Sequence, residues 1–211
     1  MKWLGKWLPL LRFHGSDRYW KQRYRLGGDS GAGSSGTAAA YKAQVLNDFV
    51  CAHGISDVIE FGCGDGRQLA LARYPNYLGL DISPEAINRC RTRFADDPGK
   101  HFSLLEEYAG EMASLALSLD VLFHLVEDEI YFAYLARLFA ASHRFVIVYS
   151  TSRNDAPRTL RHVRHRPVET DIANHFTDFV RLTTLEATLP SPVEQGEGGY
   201  TRFFIYQRIS G

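Results

Sequence analysis

At 211 residues, 45% of them hydrophobic, the chain can bury a real core and fits one domain of ordinary size. Its 24 Lys plus Arg balance 24 Asp plus Glu, which argues against a general nucleic-acid binder and its usual basic excess. Cys51, Cys63 and Cys90 are odd in number and at no metal-like spacing, so a disulfide framework is disfavoured and a reducing, cytoplasmic setting is expected.

Residues 1–13 combine basic side chains with Trp3, Leu4, Trp7, Leu8, Leu10, Leu11 and Phe13. Lys6 and Pro9 interrupt the apolar run and no small-residue cleavage site follows, unlike a signal peptide. The segment reads as one packed on the domain, or as a peripheral membrane or partner contact. Gly27 to Gly36 is a Gly/Ser-rich loop by composition. It sets residues 1–36 apart, as an N-terminal arm and lid, from a domain over 37–211. No internal repeat is visible.

Thr37 can cap a helix that runs to about His53, with Val45, Leu46, Phe49 and Val50 at helical spacing. Asp57 to Phe61 reads as a short buried strand, followed by a Gly-rich turn and a helix carrying Leu69, Ala70 and Leu71. Tyr77 to Asp81 is a second strand. Pro84 suits the start of a helix through Ala86, Ile87 and Cys90. His101 to Leu104 is a weaker third strand and Leu115 to Leu119 a fourth. Residues 128–141 make an apolar helix, and Arg144 to Tyr149 a fifth strand rich in β-branched residues. Val180 to Leu185 and Arg202 to Gln207 form a closing pair. Strands alternating with helices imply a largely parallel sheet covered on both faces.

Gly62-Cys63-Gly64-Asp65-Gly66 lies between a strand and a helix, at the edge where parallel sheets bind ligands. Glycine lets the backbone turn tightly and approach a ligand closely. Glu60 precedes the turn, and Asp81 ends the next strand about 20 residues on, where a carboxylate can accept both ribose hydroxyls. A dinucleotide fingerprint would need glycine at 67, where Arg67 stands. Gly31 to Thr37 fails as a phosphate-binding loop because Thr37 occupies the lysine position and no strand precedes it.

The G-x-G-x-G spacing resembles the first motif of class I S-adenosylmethionine-dependent methyltransferases, and Ser118 to Asp128 resembles their fourth-strand motif. Tyr19-Trp20, Arg23-Tyr24, Gly27 to Ser34 and His162 to Arg166 are similar to a bacterial subfamily of small, mostly uncharacterised methyltransferases, some encoded beside glycan-assembly genes. The resemblance implies a Rossmann-like, doubly wound, seven-stranded α/β sheet, mostly parallel with an antiparallel C-terminal strand. It implies S-adenosyl-L-methionine as cofactor, held by Glu60, Gly62, Cys63, Gly64 and Gly66. Asp81 would take the ribose and Ile82 the adenine, with Glu106 or Glu107 at the adenine amine and Ser118 at the end of the fourth strand.

The sulfonium donor is already activated, so positioning supplies much of the acceleration. A hydroxyl acceptor still needs a base. Asp120 and His124, four residues apart after the fourth strand, are the catalytic candidates, the carboxylate orienting the imidazole. A Ser-His-Asp hydrolase reading of Ser118, His124 and Asp120 lacks the G-x-S-x-G elbow. Arg153, Arg158, Arg161, Arg164 and Arg166, with His162 and His165, face only Asp155 in their segment. Arg161, His162, His165 and Arg166 are therefore candidate ligands for an anionic acceptor, with Tyr24 of the arm as a further acceptor-binding candidate. His162 and His165 alone make no zinc site. Tyr19, Trp20 and Tyr24 suit a lid over a sulfonium through cation–π attraction, or an anchor for the arm. The expected function is O-methylation of a small or glycan-type acceptor. The rivals are a protein or RNA methyltransferase and a non-catalytic donor-binding module.

Overall fold

The computed structural model describes residues 15–152, 160–186 and 201–209. The first 13 residues, Arg153, Asp155 and Arg158 lie outside the described residues, and so do the roles expected of them. Among the described residues the strands β1 (Asp57–Phe61), β2 (Asn76–Asp81), β3 (Lys100–Leu104), β4 (Ala113–Leu119), β5 (Ser142–Thr151), β6 (Phe179–Glu186) and β7 (Thr201–Arg208) form one sheet of order β3-β2-β1-β4-β5-β7-β6. The first five pair in parallel; β7 is antiparallel to β5 and to β6. This is the Rossmann-like arrangement expected, down to the antiparallel last strand.

Every central strand is apolar on both faces. In β5, Val146 and Val148 join the core on one face, and Phe145, Ile147 and Tyr149 that on the other. In β7, Phe204 and Tyr206 alternate with Phe203 and Ile205 in the same way. Strands buried on both faces need helices on both, as parallel sheets do. Helices α2 (Gly36–Ala52) and α3 (Pro84–Arg93) cover one face; α4 (Asp128–Ala140) and α5 (Val168–His175) cover the other. Ala39, Ala43, Leu46 and Val50 form the buried stripe of α2. In α3 the Ser83 hydroxyl accepts from the Ala86 N–H at 3.3 Å and Pro84 fills the first turn.

Three elements depart from the sequence reading. The expected helix after the Gly turn is a single 3-10 turn, Leu69–Leu71. The Asn47 side chain ends it by donating to the Leu71 carbonyl at 3.0 Å and accepting from the Arg73 N–H at 2.7 Å. Pro75 then holds the chain extended into β2. Helix α2 starts one residue before Thr37, with Ser35 at the N-cap position. The arm contains a helix, α1 (Ser16–Arg25), closed by a glycine cap. Gly27 adopts φ 83°, its N–H donates to the Tyr24 carbonyl, and the Gly28 N–H donates to that of Arg23.

Asn47 is 8% exposed and satisfies two backbone groups at once. Asn47→Ala is expected to cost about 1–3 kcal/mol, the penalty for orphaning buried polar groups. Urea unfolding of the two proteins measures it, and an unchanged midpoint would contradict the role given to Asn47.

Candidate active site

Strand order reverses between β1 and β4, and the carboxyl ends of those strands open a crevice. A cavity of about 290 Å³ fills it. Its floor is the Gly turn. The Gly62 and Cys63 N–H groups both donate to the Leu80 carbonyl, at 2.7 and 3.0 Å, bending the chain over β2. Gly62 has φ 80°, and a Cβ there would lie 2.5 Å from Val121 Cγ2. Gly64 has φ 60° and touches Ser30 and Tyr24, leaving no room for a side chain.

Asp81 fastens this turn to β2. Its Oδ2 accepts from the Gly64 N–H at 3.0 Å and its Oδ1 from the Ser83 N–H at 2.9 Å. Each oxygen keeps a lone pair for a ribose hydroxyl. Burial pushes the Asp81 carboxyl up to about 6, against the pull of these backbone N–H groups. Glu60, which accepts from the Tyr77 hydroxyl at 2.7 Å, is pushed up to about 7 by burial, with Tyr77 and the Lys42 charge pulling it back.

Other expected donor contacts are distributed unevenly. Glu60, Gly62, Cys63, Gly64, Asp81 and Ile82 line the cavity. The bare face of Gly66 instead meets Phe94 and Cys90, so Gly66 serves packing under the turn. Ser118 is fully buried below the cavity, its hydroxyl 2.8 Å from that of Tyr134, which donates to the Phe61 carbonyl. Glu106 and Glu107 are exposed, and the Glu107 carboxylate accepts from the Leu104 N–H at 3.0 Å. Leu105, not either glutamate, reaches the cavity wall.

The arm forms the roof. Ser16, Asp17, Trp20 and Tyr24 from α1, and Ser30 and Ser34 from the Gly/Ser loop, line the cavity. The Ser16 hydroxyl donates to Glu127 Oε2 at 2.6 Å and accepts from the Val126 N–H at 3.0 Å. The Ser30 hydroxyl donates to Asp65 Oδ1 at 2.8 Å, and Arg67 donates to Asp29 at 2.8 Å. Burial, with the Asp81 charge adding to it, pushes the Tyr24 phenol far above its ordinary range, so it stays neutral.

At the end of β4, Asp120 and His124 both line the cavity, but with different partners. Asp120 takes a left-handed φ of 59°, which aspartate tolerates better than most residues. Its carboxylate pairs with the ammonium of Lys42, a residue of α2 that is 1% exposed and lies 5.2 Å from the centre of the Tyr149 ring. The His124 ring lies between Trp20 and His162, at 4.7 and 5.5 Å between ring centres. Its Nδ1 is 3.1 Å from the His162 carbonyl, which fixes the proton on Nδ1. Burial drives its pKa down to about 3, so the ring is neutral at physiological pH. The expected orientation of His124 by Asp120 is therefore corrected: a backbone carbonyl orients the ring, and the carboxylate belongs to Lys42.

The basic segment is corrected too. Arg166 is 6% exposed, pairs with Asp128, donates to the Val126 carbonyl at 2.9 Å and stacks 4.3 Å over Tyr131. Arg164 donates to the Val126 carbonyl at 2.9 Å and pairs with Asp128 at 3.0 Å. These two hold the loop after β4 in place and are not free for an acceptor. His165 Nδ1 lies 2.8 Å from the Thr151 hydroxyl, and His162 stacks on Tyr19 at 4.3 Å. Arg161 is exposed.

Sequence reasoning missed Lys42 and Gln68. Both sit on or against α2, where Lys42 reads as a surface residue of an amphipathic helix. The signal available was its position one turn beyond Ala39 on the apolar stripe. Gln68 donates from Nε2 to the Ala39 carbonyl at 3.1 Å, and its Oε1, buried at the cavity, has no partner among the described residues.

Residues 59–142 match the model of a family described as a methyltransferase domain. Magnesium protoporphyrin IX methyltransferase from Synechocystis PCC 6803, with bound S-adenosylhomocysteine, superposes with a TM-score of 0.67 at 16% identity, over 92% of this chain and 98% of that one. The N-methyltransferase NodS of Bradyrhizobium japonicum WM9, in complex with the same product, gives 0.69 at 15% identity, over 93% and 100%. The mitomycin 7-O-methyltransferase MmcR gives 0.62 at 15% identity, over 82% of this chain and 55% of that one. Among curated proteins, none matches the sequence. The solved neighbours establish the fold, and the match over residues 59–142 shows a methyltransferase domain in that stretch, of the class I S-adenosylmethionine-dependent kind. Its methyl donor is S-adenosyl-L-methionine. The residues present fit that donor, since the tight Gly turn, the carboxylate of Asp81 and the orphaned Gln68 Oε1 face one cavity.

Asp81→Ala is expected to weaken donor binding by roughly 10- to 100-fold, the worth of charged hydrogen bonds; unchanged affinity in calorimetry would refute the ribose placement. A pH dependence follows from the raised carboxyls. Glu60 and Asp81 hold protons more tightly folded than unfolded, so their contribution to ligand-free stability is full below about pH 4 and is lost as pH rises through about 6 to 7. A cationic donor favours their ionised forms, so its binding releases protons in that window. The thermal shift given by S-adenosylmethionine should grow from about pH 5.5 to about pH 7.5; a flat shift would contradict the proton release.

Proposed function

We propose that the protein O-methylates a small hydroxyl-bearing acceptor, glycan-type molecules included. The observation that carries this reading is the arm lying over the site. Donor-facing residues and the two groups after β4 share one cavity of about 290 Å³ roofed by α1 and the Gly/Ser loop. A cleft covered in this way suits a small molecule better than a protein or RNA strand. The zero formal charge also gives no support to an RNA target. Two of the structural neighbours are named for small acceptors, magnesium protoporphyrin IX and mitomycin. With Arg164 and Arg166 committed to the loop after β4, the acceptor is read as a hydroxyl compound with no requirement for an anionic group.

When bound, S-adenosylmethionine supplies an electrophilic methyl group on a sulfonium. The acceptor oxygen forms the new bond to carbon, the electrons of the broken C–S bond stay on sulfur, and Asp120 takes the hydroxyl proton. His124, neutral and with Nε2 free of a proton, accepts a hydrogen bond and orients the acceptor. Trp20 and Tyr24 close over the site and exclude water. The free thiols of Cys51, Cys63 and Cys90 support a reducing, cytoplasmic setting.

The test incubates the full chain and methyl-labelled donor with separate small-metabolite, protein and RNA fractions. Label should appear in the small-molecule fraction as a base-stable ether, and Asp120→Asn should lower the rate at least about 100-fold. Label retained only in protein or RNA would contradict the proposal.

A further inference from the structure

Helix α1 turns different chemistry to its two sides. Ser16, Tyr19 and Tyr24 are buried toward the domain, and Trp20 lines the cavity beside them. Arg18, Lys21 and Arg25 are exposed and recur at i, i+3 and i+7, which sets them in one row on the opposite face. None of these three pairs with an acidic side chain among the described residues. The remaining cation of the helix, Arg23, differs: it pairs with Asp29 at 3.3 Å and donates to the Asp29 carbonyl at 2.7 Å. The one acid of the helix, Asp17, lines the cavity. The outer row is therefore purely basic, and no described contact of the fold makes use of it.

This row belongs to a wider asymmetry. Residues 1–25 hold seven Lys and Arg against Asp17 alone, which leaves 17 of the 24 cations and 23 of the 24 acids to the rest of the chain. A neutral total conceals a basic arm on an acidic domain. The same stretch holds all three tryptophans, and Trp3 and Trp7 stand with Leu4 and Leu8 among Lys2, Lys6 and Arg12 just before α1.

We propose that the outer face of α1 is a docking surface for an anionic lipid bilayer, with the apolar residues before it in sequence as the second anchor. A row of cations attracts any polyanion, and two features favour lipid over nucleic acid. The rings of Tyr19, Trp20 and Tyr24 are turned away from the row, so it offers a strand no platform for base stacking. Tryptophan and leucine interleaved with lysine suit the boundary between headgroups and acyl chains. A single signal holds a bilayer only weakly, and a basic patch joined to an apolar anchor holds it stably. The row lies on the back of the helix whose front roofs the cavity, so docking sets that roof against the headgroups. Docking is separate from the choice of acceptor.

Sedimentation of the full chain with lipid vesicles tests the surface. At about 0.1 M salt the protein should pellet with vesicles of phosphatidylcholine and phosphatidylglycerol in roughly a three-to-one ratio, and stay in solution with phosphatidylcholine alone. Pelleting should fall as salt rises to about 0.5 M, because screening shortens the reach of the charges. The triple variant Arg18→Gln, Lys21→Gln, Arg25→Gln should partition at least about 30-fold more weakly, at roughly fivefold per charge near such a surface. Its thermal midpoint should match the wild type, since the three side chains have no acidic partner in the described fold. Arg73→Gln with Arg144→Gln, exposed cations near the amino ends of β2 and β5, should cost less than about threefold. Equal pelleting with neutral vesicles would overturn the proposal, as would an equal loss in the Arg73 and Arg144 variant. Filter retention of a mixed-sequence RNA without pelleting on anionic vesicles would assign the row to nucleic acid and overturn it too.

Discussion

The hydrogen bond from the Gly64 N–H to the Asp81 carboxylate is where the fold becomes a site. It joins the turn after β1 to the end of β2 and holds the glycines in the left-handed conformations that expose their backbone. The arm's Gly/Ser loop depends on that shape, because Ser30 reaches Asp65 only where Gly64 has no side chain. The arm in turn brings Trp20 against His124 and closes the cavity. A buried carboxylate with bonding capacity to spare thus supports the turn, the lid and the nucleotide site together.

The second organising feature is a division of labour around β4. The loop after it carries Asp120 and His124 to the cavity wall, and it is held by contacts from three directions. Ser16 binds Glu127 from the arm, Arg164 and Arg166 bind Asp128 and the Val126 carbonyl from the segment after β5, and Lys42 binds Asp120 from α2. The polar chemistry at the crevice therefore rests on side chains that are distant in sequence.

This explains what could be read from the chain and what could not. The strands and α2, α3 and α4 were legible because each is a run with a clear apolar period, and Glu60, the Gly turn and Asp81 were legible because their spacing is local. The helix expected after the turn failed because Asn47, twenty-odd residues away, supplies the groups that end it. Helix α1 was hidden because its apolar face is three aromatic rings that only a tertiary partner makes useful. Arg164 and Arg166 looked free because their partners Asp128 and Tyr131 lie in α4, distant in sequence. Lys42 was passed over because a lysine in a helix is ordinarily solvated.

The account comes down to the proposal that the donor lies along the Gly turn with its ribose at Asp81, whose carboxylate already holds that turn. A crystal structure of the full chain with S-adenosylhomocysteine measures this directly. The account predicts ribose hydroxyls within about 3 Å of the Asp81 carboxylate. A ribose away from Asp81 in the complex would contradict it.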